Sequence, residues 1–67
     1  MLVTLIQKNV YRVILGSNQE DIYYVSKGRT GSWKINHQGI TIDFANNRDD
    51  AINLAVTIQK GVTAWKH

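Results

Sequence analysis

The chain contains no cysteine and no proline. Without cysteine, disulfides and thiolate-held zinc are excluded as the staples that small domains often rely on. The same absence suits a reducing compartment, and a cytoplasmic location is the expectation. Without proline there is no linker signal, so residues 1–67 are expected to form one small domain with a tail at 62–67. Long hydrophobic runs are missing as well. Nothing approaches the ~18 apolar residues of a membrane span, and no membrane partner is expected. The opening MLVTLIQKNVYRVIL places its apolar part before any positive charge and breaks at Gln7-Lys8-Asn9. No small-residue cleavage site follows, which argues against a signal peptide. Repeats and low-complexity segments are also lacking. A chain this short buries only about 60% of the surface its unfolded form exposes. Its core must therefore come from Trp33, Trp65, Tyr11, Tyr23, Tyr24, Phe44 and the Ile, Val and Leu residues, or be supplemented by self-association.

Charge is scarce but not evenly placed. Eight Lys and Arg against five Asp and Glu give a net +3. That excess permits contact with nucleic acid or acidic proteins without compelling either. Four of the five acids fall in two pairs, Glu20-Asp21 and Asp49-Asp50. Between the pairs lie Lys27, Arg29, Lys34, Asp43 and Arg48.

What is present reads mostly as strand. Leu2 to Leu15 is rich in β-branched residues. Residues 9–15 alternate, with Tyr11, Val13 and Leu15 on one face and Arg12 on the other. Leu2 to Ile6 is open to two readings, strand or helix, with strand favoured. Gly16-Ser17-Asn18-Gln19 is a turn cluster. Asp21 to Lys27 is the next strand, followed by a turn at Gly28-Arg29-Thr30-Gly31 with a glycine at each end. Ser32 to His37 alternates, with Trp33, Ile35 and His37 on one face, and Gln38-Gly39 closes a tight connection. Ile40 to Phe44 alternates again, which places Ile40, Ile42 and Phe44 inward and Thr41 and Asp43 outward. A helix follows. Asn46 or Asn47 supplies the N-cap, Asp49 and Asp50 suit the positive end of the helix dipole, and Ala51, Ala55, Ile58 and Val62 form one stripe with Ile52 and Leu54 beside it. Gly61 suits a C-cap. The expected fold is α+β: an antiparallel sheet of three to five strands with one C-terminal amphipathic helix on one face. The other face is left bare and should carry Arg12, Lys34, Asn36, Thr41 and Asp43.

From Tyr24 the chain runs through Gly31-Ser32-Trp33, Ile35, Gly39 and Ile40-Thr41-Ile42-Asp43-Phe44 to Ala51 and Ala55 on a helix. This order resembles the three-stranded-sheet-plus-helix arrangement of AP2-type DNA-binding domains and of the arm-binding domains of phage integrases. It is also similar to the small bacterial proteins of the DUF2188 family. The shared elements cover roughly half the chain. The AP2 resemblance implies a sheet laid in the DNA major groove, with Arg12, Lys27, Arg29, Lys34 and Asn36 as the reading residues.

The residues themselves admit two functional classes. In the first, a nucleic-acid-binding module, Lys27, Arg29 and Lys34 hold phosphates around the Gly28–Gly31 turn. Arg12 adds charge, and Asn36 meets a base edge. DNA is preferred over RNA. In the alternative, the chain is a protein-interaction or inhibitor module of phage or plasmid type, docking through a sheet edge with Tyr23 and Trp65. A homodimer formed the same way would also help stabilise so small a domain. No catalytic site is expected, because Asp49 and Asp50 are accounted for by helix capping and Glu20 and Asp21 by a turn. His37 and His67 are the only histidines, too few for a metal site. No cofactor is expected.

Overall fold

A computed structural model describes the backbone of residues 1–65 and the side chains of residues 1–61. Five strands form one antiparallel sheet in sequence order: β1 (Leu2–Gln7), β2 (Val10–Ile14), β3 (Ile22–Lys27), β4 (Trp33–His37) and β5 (Ile40–Ala45). A single helix, α1 (Arg48–Trp65), follows and packs on β3, β4 and β5. The fold is α+β, as the alternation of apolar residues predicts, and Leu2–Gln7 resolves to strand. The stretch β3–β4–β5–α1 has the three-strand-plus-helix arrangement; β1 and β2 extend the sheet beyond it.

The turns follow from local chemistry. Gln38 and Gly39 both take positive φ, 54° and 81°. Two consecutive left-handed residues make the tight hairpin whose twist matches that of the flanking strands. Between β2 and β3 the chain makes one 3-10 turn, Gln19–Asp21. Asp21 holds it, since its carboxylate accepts the Asn18 amide at 3.2 Å and its carbonyl accepts the Leu15 amide at 2.9 Å.

The core lies between sheet and helix. Val13, Tyr23, Val25 and Ile35 project from β2, β3 and β4 and are fully buried. Ala51, Ile52 and Ala55 meet them from α1. Alanine at the two central helix positions lets the helix sit close to the large side chains of the sheet. Each buried Val or Ile contributes roughly 1.5–3 kcal/mol. Asn47 is the N-cap, with its side-chain oxygen accepting the Asp50 amide at 2.8 Å.

Three expectations are corrected. The helix does not stop at Gly61 but continues to Trp65, so residues 62–65 are helical rather than a tail. Gly61 is not among the positive-φ glycines, and a lone glycine inside a helix costs only about 1 kcal/mol. Ile40, Ile42 and Phe44 are not buried in the core; they are 65, 39 and 61% exposed, Ile40 although it stands opposite His37 on the helix-covered face. Strand β5 is irregular: Ile35 pairs with Asp43 but Asn36 pairs with Thr41, so Ile42 is an extra residue. A one-residue slip exchanges the faces of everything beyond it. The slip therefore puts Ala45 opposite Trp33 and moves Asp43 from the bare face to the row of Ile35.

Replacing Ala55 with Leu should lower stability by about 1–3 kcal/mol through overpacking, and Asn47→Ala by about 1 kcal/mol. Both are read as urea midpoints. An unshifted midpoint for Ala55→Leu would mean that the helix does not rest on the sheet through this face.

Candidate functional site

One helix leaves the opposite face of the sheet uncovered. Strand register fixes what stands there. A central row runs Thr4, Arg12, Tyr24, Asn36, Thr41 across all five strands. On one side of it lies Leu2, Ile14, Ile22. On the other lies Val10, Ser26, Lys34, Phe44. No Asp or Glu stands in any of the three rows. With Asp43 displaced by the irregularity in β5, this face carries Arg12 and Lys34 with no carboxylate between them.

The central row is held in place. Thr41 donates its hydroxyl to the Asn36 side-chain oxygen at 2.6 Å. That bond fixes the Asn36 amide on the strand surface. Tyr24, 36% exposed, stands between Asn36 and Arg12. The Arg12 side chain is half-buried, and its Nε is enclosed without an acceptor among the described residues. With Nε enclosed, only the terminal nitrogens of the guanidinium remain to meet a group from outside.

Not all the basic residues singled out in the sequence join this row. Lys27 pairs with Trp33, so it belongs to the rows of the helix-covered side and stands apart from Arg12, Lys34 and Asn36. Arg29 is exposed in the Gly28–Gly31 turn. That turn is closed by Gly28 and Ser32, whose amide and carbonyl bond at 2.8 Å.

Tyr23 is corrected outright. It is fully buried, not a contact residue. Its ring stacks on His37 at 4.2 Å between centroids, and its hydroxyl donates to Gln59 Oε1 of α1 at 2.8 Å. Gln59 Nε2 in turn donates to Asp21 at 2.6 Å, while His37 Nε2 donates to the Glu20 carbonyl at 2.6 Å. This chain of bonds ties sheet, 3-10 turn and helix together. Of the adjacent tyrosines, Tyr24 is the one that faces outward. The Trp65 side chain lies outside the described residues.

A second cluster was not singled out in the sequence. On the helix side, Tyr11 and Trp33 pair at 6.1 Å. The Arg48 guanidinium lies 5.2 Å from the Tyr11 ring centroid, donates to the Tyr11 hydroxyl at 3.3 Å and meets Asp49 at 3.1 Å. These residues line a shallow cleft together with Asn9, Asn47 and Asp50. The alternation of β2 and β4 had placed Tyr11 and Trp33 on this face, but no sequence pattern linked either to Arg48. Tyr11, Arg48 and Asp49 are bonded to one another, and Asn47 to Asp50, so the cleft reads as a rim that closes the core. Among the described residues no group of three His, Cys, Asp or Glu side chains converges, and no helix is long and apolar enough to cross a membrane. No protein-family model, curated protein or solved structure matches the chain.

Burial, and after it the nearby Asp21 carboxylate, raise the Tyr23 pKa above its ordinary value near 10. An unfolded tyrosine loses its proton first, so the contribution of Tyr23 is complete below pH ~10 and lost as pH rises beyond it. Tyr23→Phe should therefore lower stability at neutral pH by about 1 kcal/mol, the worth of the hydroxyl bond to Gln59. It should also flatten the decline in stability above pH 10. Urea unfolding of both chains at neutral and alkaline pH checks this. An equal alkaline decline in the two would show that Tyr23 is not the titrating group.

Proposed function

We propose that the chain is a small nucleic-acid-binding module that takes a single strand across the open face of its sheet. The observation that carries this reading is the Arg12–Tyr24–Asn36 row, flanked by Lys34, on a face without carboxylates. Each member has a part. Tyr24 offers a ring on which a base can stack, and stacking does not depend on which base is present. Arg12, through the end of its guanidinium, and Lys34 hold phosphates. Asn36, fixed by Thr41, offers its amide to a base edge. Arg29 on the adjoining turn extends the positive strip. Lys27, on the other side of the sheet, is left out. A single strand fits better than duplex because the aromatic stands in the middle of the strip, and a paired base exposes no ring to it. DNA is placed ahead of RNA, with both in the test.

Labelled single-stranded and duplex DNA and RNA, titrated at about 50 and 200 mM salt, test the reading. Single strands should bind at micromolar concentration or tighter, and affinity should fall steeply between the two salt conditions. Arg12→Ala with Lys34→Ala should reduce both the affinity and its salt dependence. Tyr24→Ala should weaken binding by about tenfold or more and leave the salt dependence unchanged. Lys27→Ala should have little effect. Absence of binding to every one of these at low salt would overturn the proposal.

A further inference from the structure

The two edges of the sheet differ in a way that points to a second copy of the chain. Edge strands expose unpaired amides and carbonyls and are usually guarded by charge, irregularity or cover. Strand β5 has all three: Asp43, the extra residue Ile42, and α1, which packs against it. Strand β1 has almost none. From Leu2 to Gln7 it carries no ionisable side chain, and its one irregularity lies at the hairpin end, between Leu5 and Gln7. Its apolar side chains are bare on both faces: Leu2 58%, Val3 38%, Leu5 58% and Ile6 45% exposed. On the helix side, Val3 and Leu5 line a groove with Met1, Tyr11 and Ile52, bordered by Arg48, Asp49 and Asn53 of α1. A short, neutral, β-branched segment on an open edge attracts another strand.

We infer that the chain forms a two-fold dimer in which β1 pairs antiparallel with β1 of a second copy, with Thr4 on the axis. The argument for a second copy over another protein is self-complementarity. With Thr4 opposite Thr4, Val3 of each chain faces Leu5 of the other on the helix side, and Leu2 comes beside Ile6, the extra residue of β1. Every apolar residue of the edge meets an apolar one. Such a contact is isologous and closes, so it ends at two copies instead of growing into fibres. Because β1 itself is neutral and the Arg48 and Asp49 beside it are paired with each other, two chains of net charge +3 meet along a strand that adds no charge. The result is a ten-stranded sheet. Its central open-face row runs unbroken from Thr41 of one copy to Thr41 of the other. The two Arg12 side chains stand three strand spacings apart, about 14 Å. The dimer does not depend on the nucleic-acid reading, although it would double the length of that strip.

Sedimentation equilibrium tests the state and a charge pair tests the register. The unsubstituted chain should be dimeric at micromolar concentrations. Val3→Glu and Leu5→Lys, each alone, should weaken dimerisation by roughly 10- to 100-fold, the cost of losing one buried apolar contact on each side. Mixed in equal amounts, the two variants should dimerise again, because the new carboxylate and ammonium meet across the axis. Should either variant fail to fold, Thr4→Cys provides a second readout. The chain has no other thiol, so a short bifunctional thiol reagent should join two copies through position 4, whereas a cysteine at Ile40 on the opposite edge should not be joined. A monomeric chain at high micromolar concentration would overturn the inference. So would variants that remain dimeric, a mixture that stays monomeric, or cross-linking no better at position 4 than at position 40. Retention of a larger protein by a monomeric chain through β1 would also count against it.

Discussion

One helix has to serve a sheet of five strands. Strands lie about 4.8 Å apart and a helix with its side chains is about 10–12 Å across, so α1 can cover only two or three of them. It lies on β3, β4 and β5. The remaining features of the molecule follow from that limit. The buried set gathers on the middle strands and the facing alanines, where coverage is complete. The opposite sheet face has no cover, and β1, farthest from the helix, keeps apolar side chains exposed on both sides. Among the described residues no further element covers them.

The polar interior network compensates for the thinness of the core. Tyr23, Gln59 and Asp21 connect β3, α1 and the 3-10 turn through two short hydrogen bonds, and His37 stacks on the Tyr23 ring. Such a chain fixes the helix along the sheet axis, which smooth contacts between alanine and valine cannot do. It is also where the structure departs most from the simplest reading of adjacent tyrosines. One of the pair is the largest fully buried side chain among the described residues, and its neighbour stands partly exposed on the uncovered face. The pleat alone separates their roles, since successive residues of a strand face opposite ways.

Much of this was legible in the residues. Strands, turns and the capped helix each had local signals, and so did the face shared by Trp33, Ile35 and His37. Arg12 could be assigned to the bare face because Tyr11 and Val13 beside it are apolar. The candidate strip was legible only in part. Nothing near Ile42 announces an extra residue, so plain alternation puts Asp43 on the bare face, whereas its pairing puts it in the row of Ile35. Lys27 is near Lys34 in sequence, but it lies one and three positions from the outward Ser26 and Tyr24, odd offsets that put it on the other face. Gly61 looked like a helix end because glycine usually marks one; in a helix already packed on a sheet the penalty of a glycine is too small to stop it.

The sequence by itself determined the class of the fold, the order of its elements and the positions of its turns, because those depend on periodicity and on the backbone preferences of single residues. Only the tertiary structure decided which residues share a face at the strand irregularities, which tyrosine is buried, and which sheet edge is left unguarded. Those depend on register and on where a single helix comes to rest, and both are set by pairing between residues distant in the chain.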